Sequence, residues 1–143
     1  MTVEPILLQK GREVVTISPA DSVKSAAARM RERNIAALAV VSCDTIVGVI
    51  SEREIARAFS RHGADLAAMT VSEIVGRGVV TATRNDSLKR IMTLMTRNRA
   101  PHVLVIEDGK LAGIVSIGDV AKHRLDDLEL ERNVLRDAYL AAH

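Results

Sequence analysis

Two short stretches of the chain place a hydroxyl group and a carboxylate three residues apart. Ser116 is followed by Asp119, and Ser51 is followed by Glu54, each pair just after an apolar run. At a helix start, free N–H groups and the positive end of the helix dipole favour an anion such as phosphate. The carboxylate adds two acceptor oxygens, which match two neighbouring hydroxyl groups of a ligand. Each pair is therefore a candidate binding site, and the alternative is a plain helix cap.

A histidine adds a second candidate. His102 follows Pro101 and precedes a long apolar run, so it stands at the start of a predicted strand. An imidazole there can donate a hydrogen bond or a positive charge to a phosphate. The alternative is a solvated histidine at a strand start.

Catalysis and metal binding find little support in the sequence. The four histidines, at positions 62, 102, 123 and 143, do not have the spacing of a metal-binding pair. Cys43 is the single cysteine, which excludes an intramolecular disulfide and a cysteine-based zinc site. The glycine-rich motifs of hydrolases, nucleotide hydrolases and dinucleotide-binding enzymes do not occur. The sequence therefore predicts neither an enzyme nor a bound metal or cofactor.

Composition narrows the class further. The chain has 143 residues, 48% of them hydrophobic, which suits one domain or two fused repeats with a buried core. A net charge of +2 and an aromatic content of 1% argue against a nucleic-acid partner. The N-terminus lacks the pattern of a signal peptide, and no apolar stretch approaches the length of a membrane helix. We expect a cytoplasmic protein without a membrane partner.

The main signal is an internal repeat. Shifting the chain by 65 positions aligns residues 14–59 with residues 79–124 without a gap. Identical pairs recur along the whole alignment: Val14/Val79, Thr16/Thr81, Asp21/Asp86, Ser22/Ser87, Met30/Met95, Gly48/Gly113 and Ser51/Ser116. Such a fixed period indicates a duplication.

Both halves predict the element order β-α-β-β-α. Asp21 and Asp86 are the expected N-caps of the first helices, and Ser51 and Ser116 open the second helices. The predicted strands cover residues 14–17, 38–41 and 46–50, and residues 79–82, 103–106 and 111–115. The linker contains a capping box at Thr70–Glu73, which predicts a short helix.

We divide the chain into repeat 1 (1–62), a linker with a short helix (63–78), repeat 2 (79–125) and a helical tail (126–143). The tail has two apolar stripes, and an isolated helix would not leave both in water. We therefore expect a homodimer that uses this tail. The alternative is that the tail packs back on its own repeats.

The segments Gly48–Ile55 and Gly113–Val120, at the same place in each half, resemble the cystathionine-β-synthase-type (CBS) domain. A tandem pair resembles a Bateman module. The resemblance implies a mixed α/β (α+β) fold, in which two β-α-β-β-α repeats pack sheet to sheet about a pseudo-two-fold axis and leave two clefts. Proteins of this family bind adenosyl ligands in the clefts and usually regulate an attached or partner protein. For this chain we expect AMP, with ADP, ATP or NAD as alternatives, and a regulated partner that the sequence does not identify.

The resemblance also implies which residues contact the ligand. Ser116 and Asp119 keep the family's Ser-x-x-Asp pattern, whereas Glu54 replaces the aspartate in the first repeat, so we expect unequal clefts. The implied ligand-binding residues are Ser116, Asp119, Thr16, Thr81, Ser51, Glu54, Ala37, Pro101 and His102.

Other functions remain open at this point. The departure at Glu54 favours a purely structural dimerisation module whose clefts bind nothing. A module that binds NAD or S-adenosylmethionine is a second alternative. An enzyme acting on the bound ligand is a third, although the sequence offers no convincing general base.

Overall fold

The protein consists of two copies of one small α/β unit, each built on its own three-stranded sheet. The structure is a computed structural model that describes residues 2–11 and 14–142. Met1, Arg12, Glu13 and His143 lie outside the described residues, so the last position of the predicted tail is not covered. In each sheet the three strands lie side by side in the order in which they occur along the chain.

The elements follow the predicted order in both halves. Repeat 1 contains β1 (Thr16–Ile17), α2 (Val23–Arg33), β2 (Ala37–Ser42), β3 (Thr45–Ser51) and α3 (Glu52–His62). Repeat 2 contains β4 (Thr81–Ala82), α5 (Leu88–Asn98), β5 (His102–Glu107), β6 (Lys110–Ser116) and α6 (Ile117–Ala142). Outside the two β-α-β-β-α units lie α1 (Glu4–Lys10), which falls within the bounds predicted for repeat 1, a 3₁₀ helix (Gly63–Ala68) and α4 (Val71–Ile74). The prediction of two β-α-β-β-α repeats is confirmed.

The repeats agree down to the register of their strands. β1 runs parallel to β2 with Thr16 opposite Ala39, and β4 runs parallel to β5 with Thr81 opposite Leu104. Both hairpins are antiparallel, and both shift register at the same point, between Val40 and Val41 and between Val105 and Ile106. The first strands are two residues long, shorter than the four-residue runs expected.

The helix caps differ by one residue from the prediction. Ser22 and Ser87 are the N-caps of α2 and α5, and their hydroxyl oxygens accept the N–H groups of Ser25 and Arg90. Asp21 and Asp86, the predicted caps, instead accept backbone N–H groups of the preceding turn. The carboxylate closes the turn and the next hydroxyl caps the helix, so the helix begins one residue later.

The short helix α1, which precedes the first strand of repeat 1, packs into the core of repeat 2, and α4, which precedes the first strand of repeat 2, packs into the core of repeat 1. Val3, the N-cap of α1, and Ile6 and Leu7 of α1 are buried in the core of repeat 2, whereas Val71 of α4 is buried in the core of repeat 1. Matching backbone bonds fix both helices: Val3 N–H donates to Asp86 O at 3.0 Å, and Val71 N–H donates to Asp21 O at 2.8 Å. The two repeats are therefore tied together by a reciprocal exchange of their leading helices.

A glycine makes room for each leading segment. A Cβ on Gly113 would lie 2.5 Å from Leu7 Cδ2, and a Cβ on Gly48 would meet the carbonyl oxygen of Gly76 and the side chain of Val75. Neither glycine has the positive φ that favours glycine, so close approach alone explains their role.

The C-terminal helix is unbroken. α6 runs from Ile117 to Ala142, so the second helix of repeat 2 and the predicted tail form one helix of 26 residues. Its outer part is largely exposed. No helix of the described part of the chain combines the length and apolar character needed to cross a membrane.

Alanine at the two glycines tests the exchange of leading helices. Gly48→Ala should destabilise the fold by about 1–3 kcal/mol, because the new methyl group meets backbone that cannot move aside. Gly113→Ala should cost less, because it meets only the flexible end of the Leu7 side chain. Urea unfolding of both variants measures this order, and equal costs would mean that the two interfaces are not packed as described.

Candidate functional site

A cleft of about 480 Å³ lies between the two repeats, a volume that suits a small-molecule ligand. Both repeats and the end of α1 contribute to its wall. The lining residues are Leu7, Lys10, Gly11, Val14, Val15, Arg33, Asn34, Ile35, Ala36, Ala37, His102, Gly113, Ile114, Ser116 and Asp119.

The start of α6 forms one side of the cleft. Asp119 N–H donates to Ser116 Oγ at 3.0 Å, and Ser116 N–H donates to Asp119 Oδ2 at 2.9 Å. Ile117 N–H donates to Pro101 O at 3.0 Å. The capping role is therefore realised, and it uses backbone donors that the sequence had assigned to an anion. The cap also holds the Asp119 carboxylate at the cleft wall.

Lys10 is a residue of this site that the sequence patterns did not predict. Its Nζ lies 2.7 Å from Asp119 Oδ2 and 2.7 Å from the carbonyl oxygen of Ile114. The other carboxylate oxygen, Oδ1, accepts no hydrogen bond from the residues that the structure describes. Burial alone would raise the pKa of Asp119, but the hydrogen bonds from Lys10 and Ser116 outweigh it and hold the pKa below its usual value. Asp119 is thus a charged acceptor with one oxygen still available.

His102 stands at the first position of β5, opposite Ser116 in the register. Burial is the largest influence and lowers the pKa of His102. The charges of Glu54 and Asp119 act in the opposite direction, and those of Lys10 and Arg53 add to the lowering. The imidazole is consequently largely neutral at pH 7, and it lies within the electrostatic reach of both Ser-x-x-acid pairs.

The equivalent pair of repeat 1 is engaged differently. Ser51 and Glu54 form a capping box, in which Ser51 N–H donates to Glu54 Oε2 at 2.8 Å and the Ser51 hydroxyl also contacts that oxygen. The linker crosses this position, since Val49 and Gly76 exchange two backbone hydrogen bonds of 3.0 Å. A Cβ on Gly76 would lie 3.1 Å from Glu54 Oε1. The two pairs are therefore unequal in surroundings as well as in sequence.

Four of the nine predicted site residues line the cleft, and the other five do not. The structure brings Ala37, His102, Ser116 and Asp119 together in the cleft wall. Outside that wall lie Thr16, Thr81, Ser51, Glu54 and Pro101.

Three of these outer residues have identifiable roles or positions. The Thr16 carbonyl accepts Arg29 Nη1 at 2.6 Å, and the Pro101 carbonyl accepts the first N–H of α6. Thr81 is exposed at the start of β4. The backbone carbonyls of Thr16 and Pro101 therefore accept hydrogen bonds from a helix side chain and from a helix start.

Arg33 is a further wall residue that the sequence did not single out. It lies at the end of α2, while Lys10 lies at the end of α1, and the two basic side chains reach the cleft from different helices. No motif links either of them to the Ser-x-x-Asp pattern, so only the folded chain reveals them. Among residues 2–11 and 14–142, no group of three or more His, Cys, Asp or Glu side chains is arranged to hold a metal ion.

Comparison with known proteins is consistent with this geometry. The CBS domain family model matches residues 10–61 and 71–126. A CBS-domain protein of known structure from Agrobacterium tumefaciens, ATU1752, is 37% identical, with a TM-score of 0.82 over 87% of this chain and 99% of that chain. The CBS domain-containing protein YhcV of Bacillus subtilis is 29% identical over 115 residues, which cover 80% of this chain and 81% of that protein.

One solved relative contains ligands. The CBS domain pair of protein MJ0100, determined in complex with 5′-methylthioadenosine and S-adenosyl-L-methionine, is 25% identical and has a TM-score of 0.78. The match covers 89% of this chain and 98% of that chain. With two family matches that coincide with two structural repeats, the chain belongs to the CBS domain family as a tandem CBS pair.

Proposed function

We propose that this protein is a regulatory module that binds an adenine nucleotide in the cleft between its repeats. The observation that carries the proposal is the Asp119 carboxylate, which is held in the cleft wall by the α6 cap and keeps Oδ1 available. A carboxylate is a suitable acceptor for the two adjacent hydroxyl groups of a ribose. The adenosyl ligands in the solved relative support the same ligand class.

The charges of the cleft favour a phosphate-bearing ligand. Lys10 and Arg33 are basic wall residues, Asp119 is acidic, and His102 can accept a proton. The Lys10 ammonium at this wall can stabilise an anion, and AMP, ADP and ATP differ only in the length of that anion. We therefore propose AMP as the ligand, with NAD and S-adenosylmethionine as alternatives.

Regulation is the output that we infer, and we assign no catalytic step to this chain. The wall pairs its carboxylate with a lysine rather than presenting a nucleophile and a base in contact. Ligand binding would change the affinity of a partner protein for the module.

A structural dimerisation module is the rival function, and one observation favours it. Glu54 Oε2 is engaged in the capping box beside the linker, so that carboxylate has a role without any ligand. Titration of the protein with AMP, ATP, NAD and S-adenosylmethionine separates the two functions, because the rival predicts no binding.

Two carboxylate variants test the assignment of the ribose site. Asp119→Ala should weaken AMP binding about 10- to 100-fold, since it removes hydrogen bonds worth about 1.5–3 kcal/mol each. Glu54→Ala is the matched control and should weaken binding less, with its main effect on thermal stability. Calorimetric titration measures binding, and a larger loss from Glu54→Ala would place the ligand at the other pair.

The wild-type protein should also bind 2′-deoxy-AMP more weakly than AMP. In Asp119→Ala that difference should largely vanish. Equal affinities of the wild type for both ligands would show that Asp119 does not read the ribose.

The pH dependence of binding tests His102. Because its pKa is lowered in the free protein, a nearby phosphate should raise it and draw in a proton. Affinity for AMP should therefore increase as the pH falls from about 8 to about 6. AMP has its own phosphate pKa near 6, so the comparison must be made between variants.

His102→Gln should reduce the increase in AMP affinity at low pH. His62→Gln, at the exposed end of α3, is the control and should keep that increase. Titration in two buffers of different ionisation enthalpy counts the proton directly. Identical proton uptake by both variants would remove His102 from the phosphate site.

We further propose that the protein is a homodimer that uses α6. Large apolar side chains stay exposed along the outer part of this helix, and Phe59 and Met92 are exposed on other helices. The exposed apolar residues of α6 are Ile117, Leu125, Leu128, Leu130, Val134, Leu135, Tyr139 and Leu140. A monomer would leave this surface in water.

Leu135→Glu tests the dimer without disturbing the monomer, because Leu135 is 72% exposed. The dissociation constant should rise at least about tenfold, since covering a leucine contributes about 1.5–3 kcal/mol. Deletion of residues 126–143 should also raise the dissociation constant of the dimer. Analytical ultracentrifugation measures both, and a wild-type monomer at micromolar concentration would contradict the proposal.

A further inference from the structure

Lys10 reaches the candidate site from the end of α1, before the first strand of repeat 1. α1 is held against repeat 2 by the buried side chains of Ile6 and Leu7, and Leu7 packs at Gly113. The backbone of Lys10, the last residue of α1, is therefore fixed. Its side chain is 38% exposed, so the ammonium group can change partners without movement of the helix.

The ammonium occupies an oxygen that the ligand needs. Asp119 Oδ2 already accepts Lys10 Nζ at 2.7 Å and Ser116 N–H at 2.9 Å. In a bidentate pairing, one ribose hydroxyl donates to each carboxylate oxygen, and Oδ2 already carries two donors. Because an oxygen has two lone pairs, bidentate recognition of the ribose requires Lys10 to leave Oδ2.

The displaced ammonium would be poorly compensated by the protein alone. The Ile114 carbonyl is its other hydrogen-bond partner in the described chain, and a carbonyl carries no formal charge. The nearby charges are mixed: Arg33 lines the same wall, while Glu54 and Arg53 act on the neighbouring His102. A negative group on the ligand would supply the partner that Asp119 gives up.

We propose that Lys10 makes the cleft selective for adenosyl ligands that carry a phosphate over neutral ones. This inference rests on the proposed function. A neutral nucleoside must break the Lys10–Asp119 pair and offers no replacement. A nucleotide breaks the same pair and forms a new one with its phosphate. Lys10 therefore weakens the binding of a neutral nucleoside and strengthens the binding of a nucleotide, although it lies in neither Ser-x-x-acid pair.

The experiment compares adenosine and AMP by calorimetric titration of the full chain. The variants are Lys10→Met, which removes the charge at similar length, and Lys10→Arg, which keeps it. Lys89→Met is the matched control, because it removes the same charge from an exposed position of α5. Thermal melts confirm that each variant is folded.

Lys10→Met should bind adenosine about two- to fivefold more tightly and AMP about two- to fivefold more weakly than the wild type, the range expected for a partly exposed ion pair. The AMP-to-adenosine preference should therefore narrow at least about fourfold. Lys10→Arg and Lys89→Met should keep the wild-type preference.

An unchanged preference in Lys10→Met, or the same change in Lys89→Met, would overturn the role of Lys10 while leaving nucleotide binding intact. Absence of binding of both ligands to the wild type would overturn the proposed function and the role of Lys10 together.

Discussion

The close approach of two leading helices to two glycine-bearing strands holds this molecule together. α1 packs on β6 at Gly113, and the segment after α4 packs on β3 at Gly48. A two-stranded hairpin with one short parallel strand buries little by itself, so each sheet needs a helix on its face. Because each leading helix covers the sheet of the other repeat, neither repeat has a complete core without the other. The cleft is a direct result, since it lies where the end of α1 meets both repeats.

The repeat architecture was predictable because its signals are local. Apolar runs, Ser-x-x-acid caps and turn residues recur at a fixed spacing, and each of them acts within a few residues. α1 was not predicted, because seven residues with a proline at the start give little periodicity. Its helix is stabilised by burial of Val3, Ile6 and Leu7 against residues some hundred positions later in the chain, which a local pattern does not encode. The caps at Ser22 and Ser87 were misplaced by one residue because aspartate and serine both cap helices well.

In the candidate site, too, the residues in local motifs were predictable and those brought in by long-range packing were not. Ser116 and Asp119 were found because a helix cap is a short-range motif, and His102 because it precedes a strong strand. Lys10 is separated from Asp119 by 109 positions, and no spacing rule connects them. Arg33 escaped notice for a similar reason, since it ends a helix whose cap is of ordinary type. The acidic half of the site thus belongs to the repeat, whereas the basic half comes from helix ends that only the fold brings together.

The unbroken C-terminal helix connects the cleft wall to a distant part of the molecule. α6 starts at the Ser116 cap, where the wall carboxylate sits, and continues for 26 residues. At 1.5 Å per residue this is a rod of about 39 Å. A tilt of only about 5° at the capped end would displace the far end by about 3 Å, which is enough to change which side chains meet there. A change at the first turn of α6 that is too small to alter the sheets would therefore become a larger displacement at the far end of the helix.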